Sequence, residues 1–491
     1  MVNRDFSLNS VFMETKYDII VAGAGLAGSL AAATAARNGA KVILLDRNKQ
    51  EEVGKKTNWG WVCGDAVASD HLKFIKSKIN LDFSYPELDY KVDGVIALSP
   101  DLKSRFPFDG EGYILNRPLF EARLLEYAIK NGAQYLSEFE VESPVIENNA
   151  VIGIFGKDKE KKHVEIKANV VIDALGVATT IRRKLPHNPY VEKEVHISDL
   201  ESTGRFIYEF DADHVDLNYY DPKNALIHLN QNIAPGGYGW VFPKSNNKVN
   251  IGIGVQKESL DIRNAKLGRK DTLHSLMDEY IKSNPVLKNL RLFNEHNNGK
   301  GYWSVAVRHQ IDSLVFNGYM GAGDSMAMPN PISAGGIGPA MVAGILAGEY
   351  AAEAVHKKDY TIDGLWNYNL EFNKHYGRKT AGLEVFRIYL QSLNNDLINY
   401  GMKNFLSTKE AIDLSYGRVP ELSLSSKFKM VLKGASNITA FSDLLYVVKK
   451  MKELNELYAN YPKSPKEFSH WKAIVDSSLD EAKNRFKPSP I

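Results

Sequence analysis

One stretch near the N-terminus, "YDIIVAGAGLAGSLAAATAARNGAKVILLDR" (residues 17 to 47), limits the fold more than any other. An apolar strand, Tyr17 to Ala22, runs into Gly23-Ala24-Gly25-x-x-Gly28, then an alanine-rich helix, then a second strand, Val42 to Leu45, that ends in Asp46 and Arg47. Gly23 permits the tight turn, Gly25 lets the backbone approach a pyrophosphate, and Gly28 lets helix pack on strand. The helix N-terminus offers free N–H groups and a positive dipole end to phosphates. Asp46 is placed to accept hydrogen bonds from a ribose. Strand, turn, helix, second strand and acid in this order predict a dinucleotide-binding α/β unit, though not which dinucleotide.

A second element lies about 300 residues downstream, in "GYMGAGDSMAMPNPISAGGIGPAMVAGILAGEYAAEAV". It reads as a strand, Gly323-Asp324, a proline-bearing loop, and Gly335-Gly336-Ile337 opening a helix of small residues. An acid just past a strand can bond a polyol hydroxyl, and a glycine-rich helix start faces an electron-rich group. Two such elements so far apart fit one long cofactor held at both ends, and FAD has that length.

Bulk properties exclude several function classes. The 491 residues carry 61 basic and 59 acidic side chains, a net charge of +2, so no basic footprint argues for nucleic acid. The single cysteine excludes an internal disulfide framework and fits a reducing, cytoplasmic setting. The polar opening predicts no secretory leader, and the apolar run "AMVAGILAGEYAAEAV" is too short to span a bilayer and is broken by Glu349. The spacing shows no metal-ligand cluster.

From about residue 15 to 350 the chain resembles the FAD-dependent oxidoreductases that include aromatic hydroxylases, flavin halogenases and geranylgeranyl reductases. In "YILNRPLFEARLLEYAIKNGA" the resemblance places Arg117 near the FAD, and in "EFEV" it places Val141 at the adenine. Ala174-Leu175-Gly176 departs from the Asp-Gly pair of the hydroxylases, which weakens the hydroxylase reading. Pro235-x-x-Tyr238-x-Trp240-x-Phe242-Pro243 is similar to the PxxYxWxFP signature of geranylgeranyl reductases, and Cys63-Gly64 matches the Cys-Gly that the archaeal members carry beside the flavin ring.

The resemblance implies saturation of isolated double bonds in isoprenoid chains. Such an alkene has no carbonyl to draw electrons, so one carbon takes a proton as the other takes hydride, with cationic character developing between them. Aromatic faces stabilise that charge by roughly 1–2 kcal/mol per desolvated ring and exclude water. Trp59, Trp61, Tyr238, Trp240 and Phe242 form the expected wall. Cys63, Tyr238 or a bound water are the alternatives for the proton donor. Arg308 and His309 are candidates to line the tunnel mouth, where a headgroup would sit, although a histidine in such a place is more often structural.

The expected architecture is α/β, with a Rossmann-like FAD-binding domain (15–190 and 305–355), an antiparallel β-sheet substrate domain (190–305) and a C-terminal helical region (356–491). Segments near 85–115 are candidates to join the sheet. Runs such as "RFIYEF" and "VNIGIGVQ" alternate with period two. "SDLLYVVKKMKELNELYANYP" has an apolar stripe opposite lysines, a pattern that packs on a domain or lies peripherally on anionic lipid. The implied partners are a hydrophobic isoprenoid lipid and a transient electron donor, NADPH or a ferredoxin. The rival readings are a flavin monooxygenase or halogenase on the same frame, a reductase of an isoprenoid quinone tail, and a non-catalytic prenyl-lipid binder.

Overall fold

The computed structural model of the chain describes residues 16–49, 63–212, 214–293, 299–404, 409–410, 413, 418 and 437–491. Two sheets organise it. In the first, the strands run in the order Val315–Phe316, Tyr319–Gly321, His163–Asp173, Tyr17–Ala22, Val42–Leu45, Gln134–Leu136, and the hairpin Glu140–Glu147/Ala150–Lys157 pairs onto His163–Asp173. Tyr17–Ala22 is parallel to both of its neighbours. Its Ile-Ile-Val-Ala run is buried on both faces, as a central parallel strand requires. The α/β FAD-oxidoreductase architecture is therefore the one expected.

Backbone approach between small residues fixes the first helix, Leu26–Arg37. A Cβ on Gly28 would lie 1.8 Å from the Gly23 carbonyl oxygen. On the other side, Cβ atoms on Gly344 and Gly348 of the helix Ile337–Lys357 would lie 2.3 and 2.4 Å from the carbonyls of Ala27 and Ala31. The two elements at the ends of the chain's glycine pattern thus pack directly on each other. This holds the two glycine-rich helix starts in one cradle.

The second sheet has nine strands in the order Leu287–Leu292, Leu200–Ala212, Lys248–Gln256, Gly239–Lys244, Asn224–His228, Leu88–Leu98, Arg105–Leu115, Ala66–Ala68, with Lys300–Ala306 also on Leu200–Ala212. All pairs are antiparallel except Asn224–His228 on Leu88–Leu98. Pairing sorts the faces. Val241, Ile251 and Phe206 are in register and pack under the helices Lys257–Leu267 and Leu273–Ser283. Trp240, Gly252 and Arg205, one residue along, share the opposite face.

Beyond residue 356 the chain is helical, with a π-helical turn at Asn373–Gly377 leading into the helix Arg378–Gln391. The amphipathic helix Asn437–Ala459 buries Leu444, Val447, Met451, Leu454 and Tyr458, packing against Arg378–Gln391 and Pro465–Arg485. Its apolar stripe is covered by the domain. No helix among the described residues is long and apolar enough to cross a membrane.

Arg308 and His309 do not sit at a tunnel mouth, contrary to the sequence expectation. Both are buried where the helical region meets the first domain. Arg308 pairs with Glu192 at 2.8 Å, while the His309 ring bonds Glu384 and lies 3.3 Å from Asp312. Glu192, Asp312 and Asp476 converge closely enough to hold a cation, and Lys472 Nζ supplies one at 2.8, 3.0 and 2.8 Å. Although burial opposes it, the two carboxylates push His309 up to about 9. Since the folded value is raised, stability from this group is complete below about 6.5, the unfolded imidazole's value. Unfolding followed against pH should show stability lost between about 6.5 and 9. His309→Gln should remove that dependence.

Candidate active site

The cofactor end is built from elements far apart in sequence. Gly25 caps the first helix with no side-chain bond, and no described residue lies within 4 Å of where its Cβ would be, so the helix start is open on that side among the described residues. Ala24 N donates to Asp46 Oδ2 at 2.8 Å, and Asn48 N donates to Oδ1 at 2.8 Å, so Asp46 holds the turn's shape; Arg47 beside it is exposed. Across the turn, a Cβ on Gly23 would lie 2.4 Å from the Ala174 carbonyl oxygen. Ala174-Leu175-Gly176 is therefore the other lip of the loop. Asp173, fully buried, accepts from Leu175 N, the Thr179 and Tyr319 hydroxyls and Arg182 N, which fixes that lip.

Arg117 begins the helix Arg117–Lys130 and pairs with Glu121 in the interior. Val141 is buried, and its carbonyl accepts from Thr180 Oγ1 at 2.9 Å. Asp324 lies in the turn after Tyr319–Gly321. Burial pushes its carboxyl up, and no described residue donates a hydrogen bond to it. A Cβ on Gly336 would lie 3.3 Å from Asp324 Oδ1, so Gly335, Gly336 and Ile337 lie against this acid at an uncapped helix start. A helix start with no side-chain cap and a half-buried acid that accepts no hydrogen bond from a described residue are what a long, polar, anionic cofactor such as FAD would satisfy.

The second sheet supplies the opposite wall. Tyr238, Trp240 and Phe242 form a row, with ring centroids 6.2 and 6.4 Å apart. The Tyr238 hydroxyl donates to the carbonyl of Ser333 in the loop before Gly335, which ties the row to the cofactor side. Phe242 packs on Gly64 so tightly that a Cβ there would lie 2.4 Å from the ring. Asn250, 0% exposed, completes the junction. Its Oδ1 accepts from Trp240 Nε1 at 2.9 Å, and its Nδ2 donates to the Cys63 carbonyl at 2.9 Å and to Asp65 Oδ2 at 3.1 Å. Cys63 Sγ accepts from Asp65 N at 3.3 Å, and burial pushes the thiol's pKa up, so it stays protonated at neutral pH. Trp59 and Trp61 lie outside the described residues.

Between these walls the sheet face is a glycine trough that neighbouring side chains fill. Gly252 lies under the Trp240 ring, where a Cβ would be 2.1 Å away, and Gly254 follows at the next same-face position. Alongside runs a polar row on Leu200–Ala212, namely Glu201, Thr203 and Arg205, in register with Gln256, Gly254 and Gly252. Sequence reasoning missed Asn250, Asp65, Arg205, Glu201 and Ser333. The signal available was the period-two series Asn250-x-Gly252-x-Gly254, polar and small where a core face would be apolar.

Comparisons with known proteins follow this division. Residues 206–294 match the model of the geranylgeranyl reductase catalytic domain, and residues 18–182 match that of FAD dependent oxidoreductases. The digeranylgeranylglycerophospholipid reductase of Sulfolobus acidocaldarius is 32% identical over 95% of this chain and 98% of its own. Digeranylgeranylglycerophospholipid reductase 2 of Methanococcoides burtonii is 31% identical over 79% and 84%. Among solved structures, a geranylgeranyl bacteriochlorophyll reductase-like protein from Thermoplasma acidophilum superposes with a TM-score of 0.69 at 23% identity, covering 89% of this chain and 99% of that one. A myxobacterial chondrochloren halogenase gives 0.62 at 17% identity, covering 90% and 96%. At these identities both structures speak for the fold alone.

Asn250→Leu should unpair the Trp240 indole N–H and the Cys63 carbonyl in the interior, at about 1–3 kcal/mol for each group left without a partner. Urea denaturation measures the loss, and the Trp240 fluorescence should shift with it.

Proposed function

The chain belongs to the digeranylgeranylglycerophospholipid reductase family and is an FAD-dependent reductase of the C=C bonds of geranylgeranyl chains, and from that premise we propose that its substrate is a phospholipid-linked digeranylgeranyl chain drawn along the aromatic row that covers the glycine trough. The observation that carries this reading is the aromatic row that covers the trough. Tyr238, Trp240 and Phe242 stand on the face turned away from the sheet's own helices, where Gly252 lets the Trp240 ring lie against the strand and Gly254 makes room for the Glu201 carboxyl.

Each group in the cradle then has a task. The first-turn N–H groups behind Gly25 would hold the pyrophosphate, Asp46 the ribose, Val141 the adenine side, and Asp324 a hydroxyl of the ribityl chain. Gly23 and Gly28 keep the loop close enough for this, while Arg117, paired to Glu121, keeps a buried positive charge nearby. Gly335, Gly336 and Ile337 offer uncapped backbone to the electron-rich edge of the ring system. When bound, FAD supplies the hydride.

The chain's own residues do the remainder. Trp240 and Phe242 lie in an apolar cluster with Val92, Ile114 and Ala225, which keeps water from a developing cation. Tyr238, fixed by Ser333, sets the height of the row above the cofactor loop, and Cys63-Gly64 closes the end near Phe242. One strand-linked Gly-x-Gly-x-x-Gly is present in the sequence and is taken by FAD, so reducing equivalents come from a transient donor, NADPH or a ferredoxin. Drawing a lipid from a bilayer requires peripheral contact, which vesicle flotation would detect.

The reading is tested under anaerobic conditions. The FAD-loaded protein, reduced with dithionite, should be reoxidised by a digeranylgeranyl lipid, with the product gaining two hydrogens per double bond. Reoxidation that waits for oxygen and inserts an oxygen atom into the substrate would move the protein to the monooxygenases. Turnover of a prenylated quinone in preference to the phospholipid would reassign the substrate. Trp240→Ala should lower single-turnover reduction about tenfold or more, the scale of one cation–π contact.

A further inference from the structure

Glu201 is a buried carboxyl to which sequence and comparisons give no role. It stands at the start of Leu200–Ala212, 4% exposed, on the sheet face that carries Tyr238 and Trp240. Its Oε2 would lie 3.2 Å from a Cβ at Gly237 and 2.8 Å from one at Gly254. The double glycine of the aromatic motif and the second glycine of the trough therefore leave room for this carboxyl. No described residue donates a hydrogen bond to it. The cation nearest in effect is Arg387, from the helix Arg378–Gln391, which is committed to Asp199 at 2.7 Å and to Gln391 at 3.0 Å. From the motif, Tyr238 faces it; Thr203 and Gln256 beside it are neutral.

We infer that Glu201 is the acid that protonates the substrate alkene, an assignment that rests on the reductase reading above. The proton passes from the Glu201 carboxyl to one alkene carbon, and the π pair forms that C–H bond. The neighbouring carbon receives the hydride that the reduced cofactor brings, so the alkene gains the two electrons the cofactor loses. The carboxylate then recovers its proton from solvent. Burial pushes Glu201 up to about 7, so about half of it keeps its proton in neutral solution, and it is acidic enough to give that proton up. The other two donors are poorer acids. The Tyr238 hydroxyl is raised by burial and by the Glu201 charge and already donates to Ser333, and the Cys63 thiol is raised by burial.

The test needs a readout apart from turnover. Infrared titration of the whole protein, with and without FAD, should show a protonated-carboxyl carbonyl band that disappears as pH rises through about 7 and is missing in Glu201→Gln. With the folded value raised above about 4.3, the unfolded glutamate's, wild-type melting temperature should fall between about 4.3 and 7, and Glu201→Gln should flatten that fall. In anaerobic single turnover, Glu201→Gln should slow alkene reduction by about 10²–10⁴-fold and lose the decline above neutral pH, while dithionite reduction of the bound FAD is unchanged. Glu201→Asp, which keeps an acid, should recover part of the rate. A carboxyl ionised well below neutral, or a Gln variant with wild-type rate and pH profile, would overturn the assignment. A wild-type protein that turns over no geranylgeranyl lipid would instead strike at the reductase reading, leaving the infrared titration to judge Glu201.

Discussion

Asn250 joins the aromatic row to the Cys63-Gly64 turn, and the orientation of Trp240 against that turn depends on it. A neutral amide suits the position because it both accepts, from Trp240, and donates, to Cys63 and Asp65, with no buried charge to balance. An aliphatic residue of similar size would pack there but would strand polar groups on both walls, and a carboxylate would meet the Cys63 carbonyl with nothing to donate. Through this one side chain the orientation of the Trp240 ring is fixed relative to the Cys-Gly turn, with Gly64 pressed against Phe242. A ring fixed in this way can stabilise a cation at a set place without reorganising.

The trough shows how an apolar reaction can be housed on a sheet. A strand face facing a core would carry Val or Ile at alternate positions. Here Gly252 and Gly254 occupy them, which costs strand stability, since glycine loses more backbone entropy and packs nothing. The loss is offset on the other face, where Val249, Ile251, Ile253 and Val255 pack under two helices. One strand thus anchors the fold with one set of residues and seats the Trp240 ring and the Glu201 carboxyl with the other.

The charged cluster around His309 and Lys472 does a different job. Burying so many ions is expensive, and a hydrophobic contact of the same volume would hold the helical region at least as well. Mutual neutralisation of Arg308, His309 and Lys472 with Glu192, Asp312 and Glu384 instead demands one docking geometry. That geometry lets the helix Arg378–Gln391 close the Glu201 end of the trough, where Gln391 donates to the Gly236 carbonyl at 2.8 Å.

The sequence by itself determined the cofactor unit, because strand, glycine turn and helix are local, and three glycines at fixed spacing have few other uses. Tyr17–Ala22 and Val42–Leu45 appear with the bounds their apolar runs imply, and the aromatic motif pointed to the reaction. Only the tertiary structure decided which groups meet. Cys63 and Asn250 are 187 positions apart and share a hydrogen bond, while His309 lies between Asp312, three residues on, and Glu384 from the distant helix Arg378–Gln391. Glu201 looks in sequence like a polar residue at the start of a strand. Its environment comes from Gly237, Gly254 and Arg387, and desolvation by distant segments is a property of packing that no local pattern carries.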